Sequence, residues 1–147
     1  MLFDALVKTR ELSWDKETLH PLVADIWCGA EFPEQLLWQS LWIDLFQIAD
    51  YSKPTEPITL YRGCPVQTGV RRMSWTTDLE QARWFAKQRG QKLRTTTAVY
   101  SVLAPPDAVL CNIDAEIDGN GRNENEIVIN PRLLPKTKRL EIFDFNK

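Results

Sequence analysis

Two hydrophobic periods divide this chain, and the change between them falls at Lys53-Pro54-Thr55-Glu56-Pro57. Two prolines so close together remove backbone donors and push their neighbours out of the helical region, so no single element runs through this point. From about Asp15 to Asp50 the pattern is helical. Pro33 suits a first helical position, and after it Leu37, Trp38, Leu41, Trp42, Leu45, Phe46 and Ala49 recur at three- and four-residue spacing. So wide a stripe predicts a largely buried helix, with Trp38 and Trp42 packing in the core rather than forming an aromatic ligand box.

Beyond the break the period becomes two. Ile58 to Arg62 reads as a strand, Cys64-Pro65 with Gly69 as a turn, and Val70 to Thr76 as a second strand. Thr77-Asp78-Leu79-Glu80 has the form of a capping box, opening a helix with Ala82, Phe85 and Ala86 on one face and an end near Gly90. Further strands are predicted at Thr96 to Ala104, Val109 to Ile113, Glu126 to Ile129 and Lys138 to Phe145, with a loop at Asp118-Gly119-Asn120-Gly121. The expectation is one α+β domain over 1–147, a helical segment 1–57 followed by a β-rich core 58–147.

Composition narrows the classes. Apolar residues at 44% and charged residues at 26% fit a folded globular chain with a core. A net charge of −2 gives no bulk attraction to nucleic acid or to an anionic membrane. No apolar run approaches the roughly 20 residues of a membrane span, and the amino terminus lacks the basic-then-apolar layout of a signal peptide. Cytoplasmic location, or delivery by a non-Sec route, is the resulting expectation. Cys28, Cys64 and Cys111 are odd in number and widely spaced, which predicts reduced, mostly buried thiols and neither zinc site nor disulfide framework. The single histidine, His20, precedes Pro21 in a helical region and reads as a capping or surface residue. Asp114 to Asn120 imitates a calcium loop, but the twelfth position is Asn125 and the flanks read as strands, so no metal is expected.

Polar residues interrupt the strand patterns at three places. Arg62 follows Ile58 and Leu60 on alternate positions and so faces inward, where a guanidinium needs an anion, either an internal carboxylate or a bound phosphate. Gly63 beside it admits close backbone approach or begins a turn. Ser74 and Thr76 share one face of their strand, where a hydroxyl can hold a carboxylate in one orientation. Glu124 and Glu126 project from the same face at a strand start, and neighbouring carboxylates suit proton handling.

In that order Tyr61-Arg62-Gly63, Ser74-Trp75-Thr76 and Glu124-Asn125-Glu126 resemble the Arg…Ser-x-Thr…Glu-x-Glu pattern of mono-ADP-ribosyltransferases. These enzymes cleave NAD and move ADP-ribose onto a target. The similarity covers roughly Ile58 to Pro131, about half of the chain. Trp75 stands where the family has its middle Thr, and Thr76 where it has its last Ser. The resemblance implies a split, mostly antiparallel β core around an NAD cleft, with NAD as substrate. It implies that Arg62 grips phosphate and ribose, that the Gly63 backbone meets the nicotinamide amide, and that Ser74 positions the catalytic glutamate. Glu126 then stabilises the sugar cation and binds the ribose, and Glu124 assists transfer to an arginine-type acceptor. The resemblance also implies that the loop Ala115 to Asn123 touches the acceptor, and a target protein is the expected partner. Trp84 and Phe85 are candidates to stack nicotinamide, but their helical spacing suits core packing better. A small bacterial or phage-type effector would fit. Two alternatives stay open: an NAD glycohydrolase with water as acceptor, and a non-catalytic module of the same fold.

Overall fold

The computed structural model describes residues 14–117 and 125–146, with helices first and strands after them. Asp15 starts α1 (Lys16–Gly29) by accepting a bond of 2.8 Å from the Thr18 amide, so a carboxylate satisfies one donor of the first turn. Its buried stripe is Leu19, Val23, Ala24 and Trp27. The helical region expected from Asp15 to Asp50 forms three separate helices, the second opened by Pro33 as its sequence position suggests. Ala30 is extended, Pro33 opens the short α2 (Pro33–Leu36), and Leu37 and Trp38 are extended again before α3 (Gln39–Ala49). Proline accounts for the first break, because it disfavours helix at the residue before it. At the second break Leu37 turns inward while Trp38 caps α3 from outside, 82% exposed. Trp38 therefore does not join the core stripe, which Leu37, Trp42, Leu45, Phe46 and Ala49 carry together with Ile43. Trp27 meets Trp42 and Phe46 edge-on, at centroid separations of 5.1 and 5.5 Å. His20 does cap a helix, though not its own: Nδ1 lies 2.7 Å from the Ala49 carbonyl at the end of α3.

Six strands follow: β1 (Ile58–Pro65), β2 (Ser74–Thr76), β3 (Thr96–Ala104), β4 (Val109–Asn112), β5 (Glu126–Ile129) and β6 (Lys138–Asp144). They form one sheet in the order β4-β5-β2-β1-β3-β6, with every pair antiparallel. The expected split core is thus a single hydrogen-bonded sheet with a thin joint. β1 pairs with β3 along its whole length but shares only Tyr61↔Thr76 with β2. The α+β class holds, and no helix among the described residues is long and apolar enough to cross a membrane.

Local differences from the sequence reading have local causes. β2 begins at Ser74 rather than Val70, and β1 continues through Cys64 and Pro65 before turning. Asp78, not Thr77, caps α4 (Leu79–Leu93), accepting from the Glu80 amide at 2.9 Å. The Thr77 amide is committed elsewhere, donating to the Asn125 carbonyl at 3.2 Å. α4 passes Gly90 and stops at Arg94, whose φ is 51°. Gly90 serves packing instead: a Cβ there would stand 2.1 Å from the Phe145 ring. Ile113 is not a strand residue but opens the short α5 (Ile113–Glu116), capped by Asn112.

Pairing assigns the two faces of the sheet. Tyr61, Thr76, Glu126 and Val128 share one face, and Gly63 and Val99 continue it on the other side of the joint. α1 and α3 cover the β2-β5-β4 half of that face, packing on Met73, Cys111 and Val128. α4 covers the β1-β3 half through Ala82 and Ala86. The opposite face buries Leu60, Trp75, Val102, Ile127 and Ile129 beneath Val70 and Leu134. Cys64 and Cys111 are buried, Cys28 is half-buried, and none of the three forms a disulfide.

Candidate active site

Between the two helical covers, over the thin joint, lies a cleft of about 340 Å³. Its floor includes Gly63, Ser74, Thr76 and Glu126. Trp27 and the stretch from Phe32 to Gln35 line one side, and Phe85, Arg89 and Leu93 of α4 line the other.

Glu126 is held first by its backbone. Asn125 adopts φ 54°, a left-handed conformation that Asn tolerates better than most residues. Its amide donates to Asp114 Oδ2 at 2.9 Å and its carbonyl accepts from Thr77, so the start of β5 is tied on both sides. Glu126 is 7% exposed. Ser74 Oγ donates to Oε2 at 2.6 Å, and Trp27 Nε1 donates to the same oxygen at 3.0 Å. The serine reaches it as a diagonal cross-strand neighbour, since Ser74 pairs with Val128 and Thr76 with Glu126.

Arg62 occupies the joint where β1 and β2 part. Its Nη1 donates to the Ser74 carbonyl at 2.9 Å, a side chain standing in for a missing ladder bond. Its Nε is buried and, among the described residues, has no hydrogen-bond partner. Burial pulls the guanidinium below its ordinary pKa, against the opposing pull of the nearby Cys64 and Glu34. It remains charged at any physiological pH. Burial likewise pushes the Cys64 thiol up, with Arg62 pulling it back. An unsatisfied buried donor costs about 1–3 kcal/mol, and more on a charged group, so an anion in the cleft would relieve that cost.

The structure thus brings Arg62, Ser74, Thr76 and Glu126 together at one cleft, while Glu124 and residues 118–123 of the expected acceptor loop lie outside the described residues. Thr76 is buried, and its hydroxyl accepts from the Asp78 amide at 3.1 Å, turning the chain toward α4. Gly63 has a second neighbour besides the cleft. Its backbone lines the cleft, and it also permits close approach of a helix: a Cβ would lie 1.9 Å from the Ala82 carbonyl oxygen.

Several residues of the cleft are absent from the sequence reading. Trp27 is one, because an indole N–H leaves no polar mark in a hydrophobic stripe. Glu34 is another: it accepts from Gln39 Nε2 at 2.9 Å and from the Met73 amide at 3.3 Å, strapping α2 to the segment before β2. Arg89 stacks 5.1 Å above the Phe32 ring and links the two sides of the cleft. Phe85 lines the cleft, whereas Trp84 is 53% exposed and outside it. Among the described residues no group of three or more His, Cys, Asp or Glu is placed to hold a metal ion. No family model, curated protein sequence or solved structure matches the chain.

Proposed function

We propose that this protein is a mono-ADP-ribosyltransferase that cleaves NAD at the nicotinamide–ribose bond and passes ADP-ribose to a target macromolecule. The observation that carries the reading is the Ser74–Glu126 hydrogen bond on the floor of a cleft bordered by Arg62. Breaking the C–N bond sends its electron pair out with nicotinamide and leaves positive charge on the ribose, as in glycoside hydrolysis. Stabilising that charge calls for an anion that need not reorient. Glu126, fixed by a strand, a serine and an indole, has that character. Arg62, whose buried Nε has no hydrogen-bond partner among the described residues, is the donor offered to the NAD phosphates. Ser74 and Thr76 are assigned to orienting the floor, the Gly63 backbone to the nicotinamide, and Glu124 to the acceptor side. The cleft volume falls in the range of about 300–1,000 Å³ usual for ligand pockets.

Nicotinamide release by the pure protein tests this reading, measured with and without cell lysate. Glu126→Gln should retain the fold and NAD binding yet lose about a hundred- to a thousand-fold in rate, the equivalent of roughly 3–4 kcal/mol of barrier. Arg62→Ala should mainly weaken NAD binding. Lysate-dependent labelling of a protein band identifies a transferase, whereas release without labelling identifies the glycohydrolase. No release under any condition, with no NAD binding by calorimetry, overturns the proposal in favour of a non-catalytic module.

A further inference from the structure

We infer that Trp27, on the helical segment ahead of the sheet, is a positioning residue for Glu126; the inference rests on the reading of Glu126 as the catalytic carboxylate. Two donors from different parts of the chain converge on one oxygen of this side chain. Ser74 Oγ and Trp27 Nε1 both bond Oε2, and no bond between described residues ends on Oε1. A carboxylate held at one oxygen from two directions cannot rotate about its last torsion without losing a bond. Its second oxygen is therefore presented to the cleft in one orientation, and Glu126 and Trp27 both line that cleft.

The indole is itself held firmly. Trp27 is 1% exposed and packs edge-on against Trp42 and Phe46. Moving its ring would disturb the core shared by α1 and α3. The bond to Glu126 thus transmits the rigidity of the helical core to a carboxylate on the sheet. Residues ahead of the Lys53–Pro57 break supply part of the site rather than a cover for it.

The test is Trp27→Phe, which keeps an aromatic ring in the core and removes only the donor, with Trp84→Phe at an exposed position as control. Hydrogen bonds to charged groups have energies that correspond to about a ten- to hundred-fold effect. The expected result is a fall of that size in kcat for nicotinamide release, with KM for NAD changed by less than about twofold. Far-UV circular dichroism should be unchanged, and Trp84→Phe should behave as wild type. A second readout needs no turnover. The Trp27 indole N–H resonance should be displaced downfield and slow to exchange in the wild type, and Glu126→Ala should reverse both effects. An active wild type with an equally active Trp27→Phe variant overturns the inference, as does an indole resonance indifferent to Glu126→Ala. If the wild type releases no nicotinamide, the functional reading fails and the catalytic role of Trp27 fails with it. That outcome is distinguished by the wild type's own inactivity.

Discussion

Pro21 lies inside α1, where it removes one rung of the helix ladder, and a side chain from beyond α3 closes the opening beside it. The Tyr51 hydroxyl accepts from the Ala24 amide at 3.0 Å and donates to the His20 carbonyl, bridging two backbone groups four residues apart. Burial raises the Tyr51 pKa from 10.0 to about 12, with the Ala24 bond pulling the other way. The fold therefore favours the neutral phenol. Its contribution is complete below pH 10 and is lost as pH rises through about 12. A rise of this size corresponds to about 2–3 kcal/mol. Tyr51→Phe should destabilise the protein by about 1–3 kcal/mol at neutral pH, because two backbone groups lose a partner. Measured by urea unfolding, the gap between wild type and variant should narrow steadily between pH 10 and 12. A gap constant across that window would contradict the assignment. Arg62, Ser74 and Glu126 are legible in the sequence because each is polar at a position where the period of two calls for an inward side chain. Trp27 and Tyr51 are not, since each carries its polar atom on a ring that the same pattern counts as core.

Among the elements, α4 depends on one missing side chain. Gly63 has no unusual backbone angle to satisfy; the only positive-φ glycine among the described residues is Gly69. What requires glycine at 63 is contact with the helix backbone, the Ala82 carbonyl and the Ala86 amide, which a Cβ would meet at 1.9 and 2.8 Å. Neither atom can swing aside as a flexible side chain could. Gly63→Ala should push α4 off β1, loosen Ala82 and Ala86 against Val99, and cost about 1–3 kcal/mol or more. Because Phe85 and Arg89 ride on the same helix, NAD affinity should fall together with the urea midpoint. Unchanged stability with altered affinity would instead assign Gly63 to ligand contact alone. The extents of β3 and β5 agree with the sequence pattern, because β-branched and apolar runs bounded by turn residues fix both ends. The break at Leu37 and Trp38 is not legible there, since the apolar stripe stays in helical phase across it.

At the scale of the molecule, the helices and the sheet share one core. Trp27, Trp42 and Phe46 belong to the same buried cluster as Met73, Cys111 and Val128, and the Trp27–Glu126 bond crosses between the two parts. A helical segment merely appended to an independent β core would keep its own apolar cluster. This one cannot separate without exposing Met73, just ahead of β2, and residues of β4 and β5. Unfolding in urea should therefore be a single transition, with tryptophan fluorescence and far-UV circular dichroism giving coincident curves. A ligand seated between the two covers then stabilises the whole chain rather than one part. NAD at about a hundred times its dissociation constant should add about 2.7 kcal/mol, or roughly 5–10 °C for a chain of this length. Glu126→Gln should retain this shift, because binding draws on many contacts, whereas Arg62→Ala at the same NAD concentration should lose most of it. Fluorescence leading circular dichroism would mean that the helical segment melts separately. A shift in the wild type equal to that in Arg62→Ala would place the phosphates away from the joint between β1 and β2.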